Sequence, residues 1–361
     1  MALCALEPLG TPAFARALAR FGAVELWEGF RARADESAWG RRAQAIDVAE
    51  LERSTEACGA RFIIPGDDEW PLQLEDLGQV SVAGQAGEPV GLWVKGLPLS
   101  GLAGGVAVVG ARAASAYGEN VTLEVAADLA SGGRVVISGL AFGVDAAAHR
   151  GALGVRGRTV GVVASGVDDP YPAANRILAE SVTRSGAVVS ELPPGARPTR
   201  YAFLARNRII AALSEAVVVT EAAARSGAKN TASWASALGR PLLAVPGPVT
   251  SSLSATPHRL IRDGAAILCT CAADVEEVLG PLGSADQGDG RGEQRPVDRL
   301  APDLLAIREA VQPREEVTAA QLVARTGQRM FDVLANAGEL VEQGWLDEVD
   351  GGFTLPGRRQ G

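Results

Sequence analysis

The sequence predicts an α/β fold: a doubly wound, mostly parallel sheet, with a small helical module before it and a winged-helix pattern after it. Three observations predict the sheet. Between residues 101 and 279 seven short apolar runs recur, most of them separated by helical stretches of about 10–15 residues. The runs are continuous rather than alternating, as strands covered on both faces require. Glycines recur between these runs rather than in low-complexity tracts, as tight strand-to-helix turns require.

Residues 1–62 are rich in Ala, Leu, Glu and Arg at helical spacing. Thr11-Pro12 reads as an N-cap with proline at the first helical position, and Phe14, Leu18 and Phe21 then fall on one face. Residues 63–100 read as a connector of extended pieces anchored by Trp70-Pro71 and by Trp93 in the run Gly91–Gly96. The strand candidates of residues 101–279 are Val106–Gly110, Arg134–Ser138, Thr159–Ala164, Ala187–Ser190, Ala216–Thr220, Pro241–Val245 and Ala265–Leu268. Residues 280–299 lack apolar periodicity and read as a flexible linker. In residues 300–361, Leu300–Arg308, Ala319–Thr326 and Gln328–Gln343 read as helices. Two short strands follow around the turn Asp350-Gly351-Gly352, completing the winged-helix pattern. Its recognition stretch sets Arg325 and Arg329 against Asp332 and Glu339, so a protein contact fits it at least as well as DNA.

Composition narrows the function class. Apolar runs such as Val160–Ala164 fall far short of the ~18 residues that span a bilayer, and the N-terminus has no basic region ahead of an apolar one. Four scattered cysteines make no disulfide framework, and Cys269-Thr270-Cys271 lacks a second pair at zinc spacing. These features describe a cytoplasmic protein. The net charge of −9 is uneven: residues 101–279 hold 16 basic and 14 acidic side chains, so the negative charge lies outside the strand–helix repeat. From Arg184 to Arg208 five arginines face only Glu191.

Ligands of open parallel sheets bind beyond the carboxyl ends of the strands. The first such turn, Gly110-Ala111-Arg112, lacks the middle glycine of a dinucleotide fingerprint, and no acid closes the next strand. An arginine there suits a single phosphate instead. The second turn, Ser138-Gly139, leads into Asp145 and His149, a pair at helical i,i+4 spacing that reads as packing or capping in the absence of a nucleophile motif. The third, Ser165-Gly166, precedes Asp168-Asp169-Pro170, which reads as turn chemistry ahead of a Mg²⁺ site. In Arg206-Asn207-Arg208 the two arginines diverge by about 200° on a helix, so one can pair with an acid while the other faces the crevice. Ser226-Gly227 opens a helix with N–H groups for an anion, joined by Lys229 and Asn230. A row of phosphate sites beside Tyr117, Phe142, Tyr171, Tyr201 and Phe203 suits a single-stranded nucleic acid.

Taken in order, Gly110-Ala-Arg112 with Tyr117-Gly118, Ser138-Gly-Leu-Ala-x-Gly143-x-Asp145, Tyr171-Pro-x-x-Asn175, Ser190-Glu-x-Pro-Pro-Gly195, Arg206-Asn-Arg-Ile-Ile-Ala211, Arg225-Ser-Gly227 and Val245-Pro-Gly247 closely resemble the DprA/Smf family of bacterial DNA-processing proteins. The resemblance covers residues 63–279, and more loosely the flanking modules. It implies an extended Rossmann-like domain that forms a homodimer, binds single-stranded DNA without sequence preference, and loads the RecA recombinase during natural transformation. It implies no catalytic residue, metal or cofactor, and no membrane. Residues matching the family's phosphate pocket are Arg112, Ser138-Gly139, Arg206 to Arg208 and Ser226-Gly227. The chain departs from the family at Ala228-Lys229-Asn230 and at Pro257, ahead of His258. The rival reading is a nucleotide hydrolase resembling the Rossmann-type phosphoribohydrolases. For it the chain offers Glu221 but no Pro-Gly-Gly run. A third reading is an interaction scaffold that works through the winged helix.

Overall fold

The computed structural model describes residues 1–6, 9–33, 37–280 and 296–356. It divides into two compact units, Met1–Ala285 and Asp286–Gly361. Most of the stretch expected as a linker lies outside the described residues.

In the first unit, three helices come first: α1 (Pro12–Ala32), α2 (Ala38–Gln44) and α3 (Val48–Ala57). Thr11 caps α1 by accepting from the Phe14 amide, with Pro12 at the first position, as its residues predict. Phe14 is buried and edge-on to Trp39, but Phe21 is exposed, its ring under the Arg20 guanidinium. The expected common face therefore holds for Phe14 but not for Phe21, which ends the first helical segment just before Gly22 breaks the helix at φ 73°.

β1 (Arg61–Ile63), the short ladder of β2 (Ser81–Val82) with β3 (Gln85–Ala86), and β4 (Leu92–Gly96) follow. The segment read as a connector therefore supplies β4 to the main sheet, while β2 and β3 pair only with each other. Trp93 is fully buried on β4 and donates to Thr55 Oγ1 at 2.9 Å, which ties the sheet to α3.

Strand and helix then alternate: β5 (Gly105–Val109), α4 (Ala116–Ser131), β6 (Val135–Ser138), α5 (Val144–Gly154), β7 (Thr159–Val162), α6 (Arg176–Ser185), β8 (Ala187–Ser190), α7 (Arg200–Ala212), β9 (Ser214–Val219), α8 (Ala228–Ala237), β10 (Leu242–Ala244), α9 (Ala255–Arg262), β11 (Ile267–Leu268) and α10 (Ala272–Leu279). All seven strand candidates of this region are present. Nine strands form one sheet in the order β1-β4-β8-β7-β6-β5-β9-β10-β11, in which β4 alone runs against its neighbours. Successive side chains alternate between faces. Ala107, Val109, Ile137 and Val217 pack with α7 and α8, while Val106, Val108, Val136 and Val218 pack with α4, α5 and α10. The result is a three-layer Rossmann-like domain. Chain order reverses between β5 and β9, so a crevice opens where their following loops part.

The second unit holds α11 (Pro302–Ala310), α12 (Ala319–Thr326), α13 (Met330–Glu342) and an antiparallel pair, β12 (Asp347–Val349) and β13 (Gly352–Thr354). Leu304, Ile307, Leu322, Val333 and Leu340 form its own core. Among the described residues, no helix is long and apolar enough to cross a membrane.

Candidate nucleic-acid interface

The crevice at the reversal point is a cavity of about 770 Å³. Its walls come from the loops after β5 and β9, from one face of α7 and from the start of α8. Arg112, Arg200, Arg206 and Arg225 line it, against the single carboxylate of Asp145. Asn207, Ser226, Asn230 and Phe203 complete the polar and aromatic lining.

Arg112 is exposed on the loop after β5, where its guanidinium carbon stands 4.3 Å from the centre of the Phe203 ring. That loop is fixed from below by Glu221. The Glu221 carbonyl accepts from Ala111 N at 2.6 Å, and its carboxylate accepts from Ser115 N at 2.8 Å and Ser115 Oγ at 2.6 Å. Gly110 is required here, because a Cβ would stand 2.7 Å from the Glu221 carbonyl.

Arg206 forms the floor. It is buried, donates to the Val162 carbonyl at 3.0 Å and lies 3.9 Å from Asp145, while its Nε has no partner. Burial lowers its pKa to about 10 and raises that of Asp145. Asp145 in turn accepts from the Gly139 amide at 3.1 Å. A Cβ on Gly139 would overlap Arg206 Nη1, so glycine at 139 is what lets the guanidinium lie there. Asn207 Nδ2 reaches Asn230 Oδ1 at 3.3 Å, joining α7 to α8 across the cavity wall.

Other candidates lie elsewhere. Arg208 is fully buried on the opposite side of α7 and donates to both Glu191 oxygens at 2.7 Å. The divergence of the two arginines thus resolves with Arg206 at the cavity and Arg208 in a structural pair. Ser138 is buried and donates to the Val108 carbonyl at 2.7 Å. Ser165 accepts from Tyr171 N at 3.2 Å, and Gly166 N donates to the Ala196 carbonyl at 3.0 Å, so both brace loops rather than line the cavity. Lys229 is exposed and does not line it. The start of α8 also offers fewer free N–H groups than its sequence suggests. Ala228 N donates to Ser226 Oγ, Lys229 N to the Ser226 carbonyl and Asn230 N to the Gly227 carbonyl. The cavity's positive field therefore comes from guanidinium groups. Arg200 was visible in sequence only as part of a basic strip; it joins the lining because Thr199 caps α7 just ahead of it.

Two expectations about side chemistry are resolved as structure. Asp168 accepts from Gly195 N at 3.0 Å and Asp169 pairs with Arg176 at 2.8 Å, so the two acids tie this loop to other segments rather than forming the local turn bonds expected. His149 makes no pair with Asp145. Its Nδ1 lies 2.7 Å from Thr159 Oγ1, whose proton goes to the Val136 carbonyl, so the ring donates through Nδ1, and its buried Nε2 has no partner. Burial pushes its pKa down to about 3. The unfolded chain, with an ordinary value near 6.5, therefore takes up a proton that the folded state refuses. Stability present above pH 6.5 is lost as pH falls toward 3, at no more than about 1.4 kcal/mol per pH unit from this group. Urea unfolding at pH 7, 6, 5 and 4 should show this loss, and His149→Gln should flatten it. Equal slopes for the two proteins would exclude His149 as its source.

Comparison with known proteins places these features. The family model described as DNA recombination-mediator protein A matches residues 61–280. The DprA-named protein of Mycobacterium tuberculosis is 43% identical over 304 residues, 82% of this chain and 77% of that relative. Protein Smf of Escherichia coli is 38% identical, over 69% of this chain and 67% of its own length. The X-ray structure of DNA processing protein A from Streptococcus pneumoniae superposes with a TM-score of 0.64 at 32% identity, covering 76% of this chain and 94% of that one. That of Helicobacter pylori, described for its single-stranded DNA binding mode, gives a TM-score of 0.52 at 26% identity, covering 61% and 95%.

Proposed function

The chain belongs to the DNA recombination-mediator protein A family, and from that premise we propose that it binds single-stranded DNA at the β5–β9 crevice, without sequence preference and without catalysis. The observation that carries this is the convergence of four arginines and the Phe203 ring on one cavity. Guanidinium groups hold backbone phosphates, and an aromatic face accepts any base. A strand whose bases are free can use both, whereas a duplex hides its bases. The relative from Helicobacter pylori is described as binding single-stranded DNA, which supports the same reading.

The proposal extends to recombination: the bound strand is handed to the RecA recombinase, with the protein acting as a homodimer in the cytoplasm during natural transformation. The family's description as a recombination mediator supports this step. The hydrolase reading is weaker on geometry. Glu221, the acid it needs, is 1% exposed, commits its carboxylate to Ser115 and does not line the cavity. Release of base from nucleoside monophosphates by the pure protein would restore it. If the C-terminal unit were instead the working part of a scaffold, deleting residues 280–361 would remove DNA binding altogether.

The test is a fluorescence titration of a labelled oligomer of roughly 30 nucleotides, single-stranded and duplex, across several salt concentrations. Tighter binding of the single strand with a steep salt dependence is expected. Arg112→Ala should weaken it about 10- to 100-fold, lower the salt slope by about 1 and leave thermal stability unchanged, because the side chain is exposed on a loop. An unchanged affinity and slope would remove Arg112 from the interface.

A further inference from the structure

Five aromatic residues lie in or beside the loops at the carboxyl end of the sheet, and their surroundings separate them. Tyr117 is anchored, donating through its hydroxyl to the Pro246 carbonyl at 2.6 Å. The Tyr201 hydroxyl is buried, so that ring is turned inward. Phe203 carries the Arg112 guanidinium over its ring at 4.3 Å. Phe142 and Tyr171 remain, each 46% exposed.

Tyr171 differs from Phe142 in being braced. Its ring meets Phe203 edge-on, with centres 5.9 Å apart and planes at 66°. Its backbone is pinned at the same time, since Tyr171 N donates to the buried Ser165 Oγ at 3.2 Å. An edge-on contact joins the rim of one ring to one face of the other, so at least one face of the Tyr171 ring stays clear of Phe203. Tyr171 is not part of the cavity lining but stands one ring outward from it, in the series Arg112, Phe203, Tyr171. A large, rigid, half-exposed ring at the rim of a cationic cavity loses little conformational entropy when a flat partner covers it.

We infer that Tyr171 is a base-stacking residue, a second aromatic platform for the nucleotide next to the one whose phosphate occupies the arginine-lined cavity. This rests on the single-strand reading above and adds a position to it. It gives the buried Ser165 hydroxyl a purpose at the interface, as the group that positions the Tyr171 backbone without touching DNA.

The experiment compares the full chain with its Tyr171→Ala, Tyr171→Leu and Tyr171→Phe forms, titrating labelled oligothymidylate at several salt concentrations. Stacking on one base is typically worth a factor of about 5 to 150 in affinity. The alanine and leucine forms should both bind about 5- to 50-fold more weakly, and the phenylalanine form should match the unaltered protein. The salt slope should be the same in all four, since no phosphate contact is removed. Full affinity in the leucine form would mean that apolar bulk rather than a ring face is used, and would overturn the inference. Full affinity in the alanine form would overturn it while leaving the single-strand reading intact. Failure of the unaltered protein to bind the oligomer would overturn both.

Discussion

Gly139→Ala is expected to weaken single-strand binding about 10- to 100-fold, although residue 139 offers a ligand no side chain. The methyl group would occupy the place of Arg206 Nη1. Something must move, and the backbone on that side is held by the Gly139 amide's bond to Asp145. The guanidinium therefore leaves the cavity floor, giving up its bond to the Val162 carbonyl and its approach to Asp145. A charge-assisted hydrogen bond to a phosphate is worth about 1.5–3 kcal/mol, which sets the size of the loss. Overpacking should also cost about 1–3 kcal/mol of stability. The decisive comparison is a double-mutant cycle with Arg206→Ala. If alanine at 139 acts by displacing Arg206, the two losses in affinity overlap almost completely. Additive losses would mean that Gly139 has a separate function.

Glu191→Ala should have the largest effect on stability. It strands the Arg208 guanidinium, which is fully buried and already has Nε and Nη1 without partners. Removing one member of such a pair costs about 3–5 kcal/mol, seen as a loss of roughly 5–15 °C in Tm. Gly10 packs against the same guanidinium, so the N-terminal segment should loosen as well. Replacing the pair together, as Glu191→Leu with Arg208→Met, should recover most of that loss, because apolar pairs of similar volume replace buried ion pairs well. At a temperature where it is folded, the double variant should bind DNA like the unaltered protein. A stability change under about 1 kcal/mol in Glu191→Ala would show that the pair contributes little.

The sheet was legible because its signal is local. The runs Val106–Val109, Val135–Ile137 and Ala216–Val219 are apolar on both faces, a pattern exposed segments rarely sustain. β4 was harder to place: Leu92-Trp93-Val94 is only three apolar residues long, and its pairing with β1 and β8 depends on partners about 30 and 95 positions away. The cavity was legible for the same reason as the sheet. Turns after parallel strands converge by topology, so Gly110, Arg112, Arg206 and Ser226 could be grouped from the chain order alone, while Arg225 was marked only by the family motif. Side-chain direction could not be read this way. Ser138 and Ser165 stand at strand ends as the motif requires, yet their hydroxyls turn to backbone carbonyls and amides within the fold. Helical spacing showed that Arg206 and Arg208 diverge, but not which one faced the crevice. That was settled by Glu191, placed at the end of the neighbouring strand.

The bond from Ala111 N to the Glu221 carbonyl carries a kinetic and calorimetric consequence. It continues the β5–β9 pairing, in which Val109 already accepts from Thr220 N, into the turn that bears Arg112. The Ala111 amide should therefore exchange with solvent deuterium as slowly as the central strands, through global rather than local opening. Addition of DNA should leave its protection nearly unchanged, because the loop is ordered beforehand. Binding should then lack the large negative heat-capacity change that accompanies folding on contact. The arginine swings on a fixed hinge, and the entropy of ordering its loop was lost when the sheet formed.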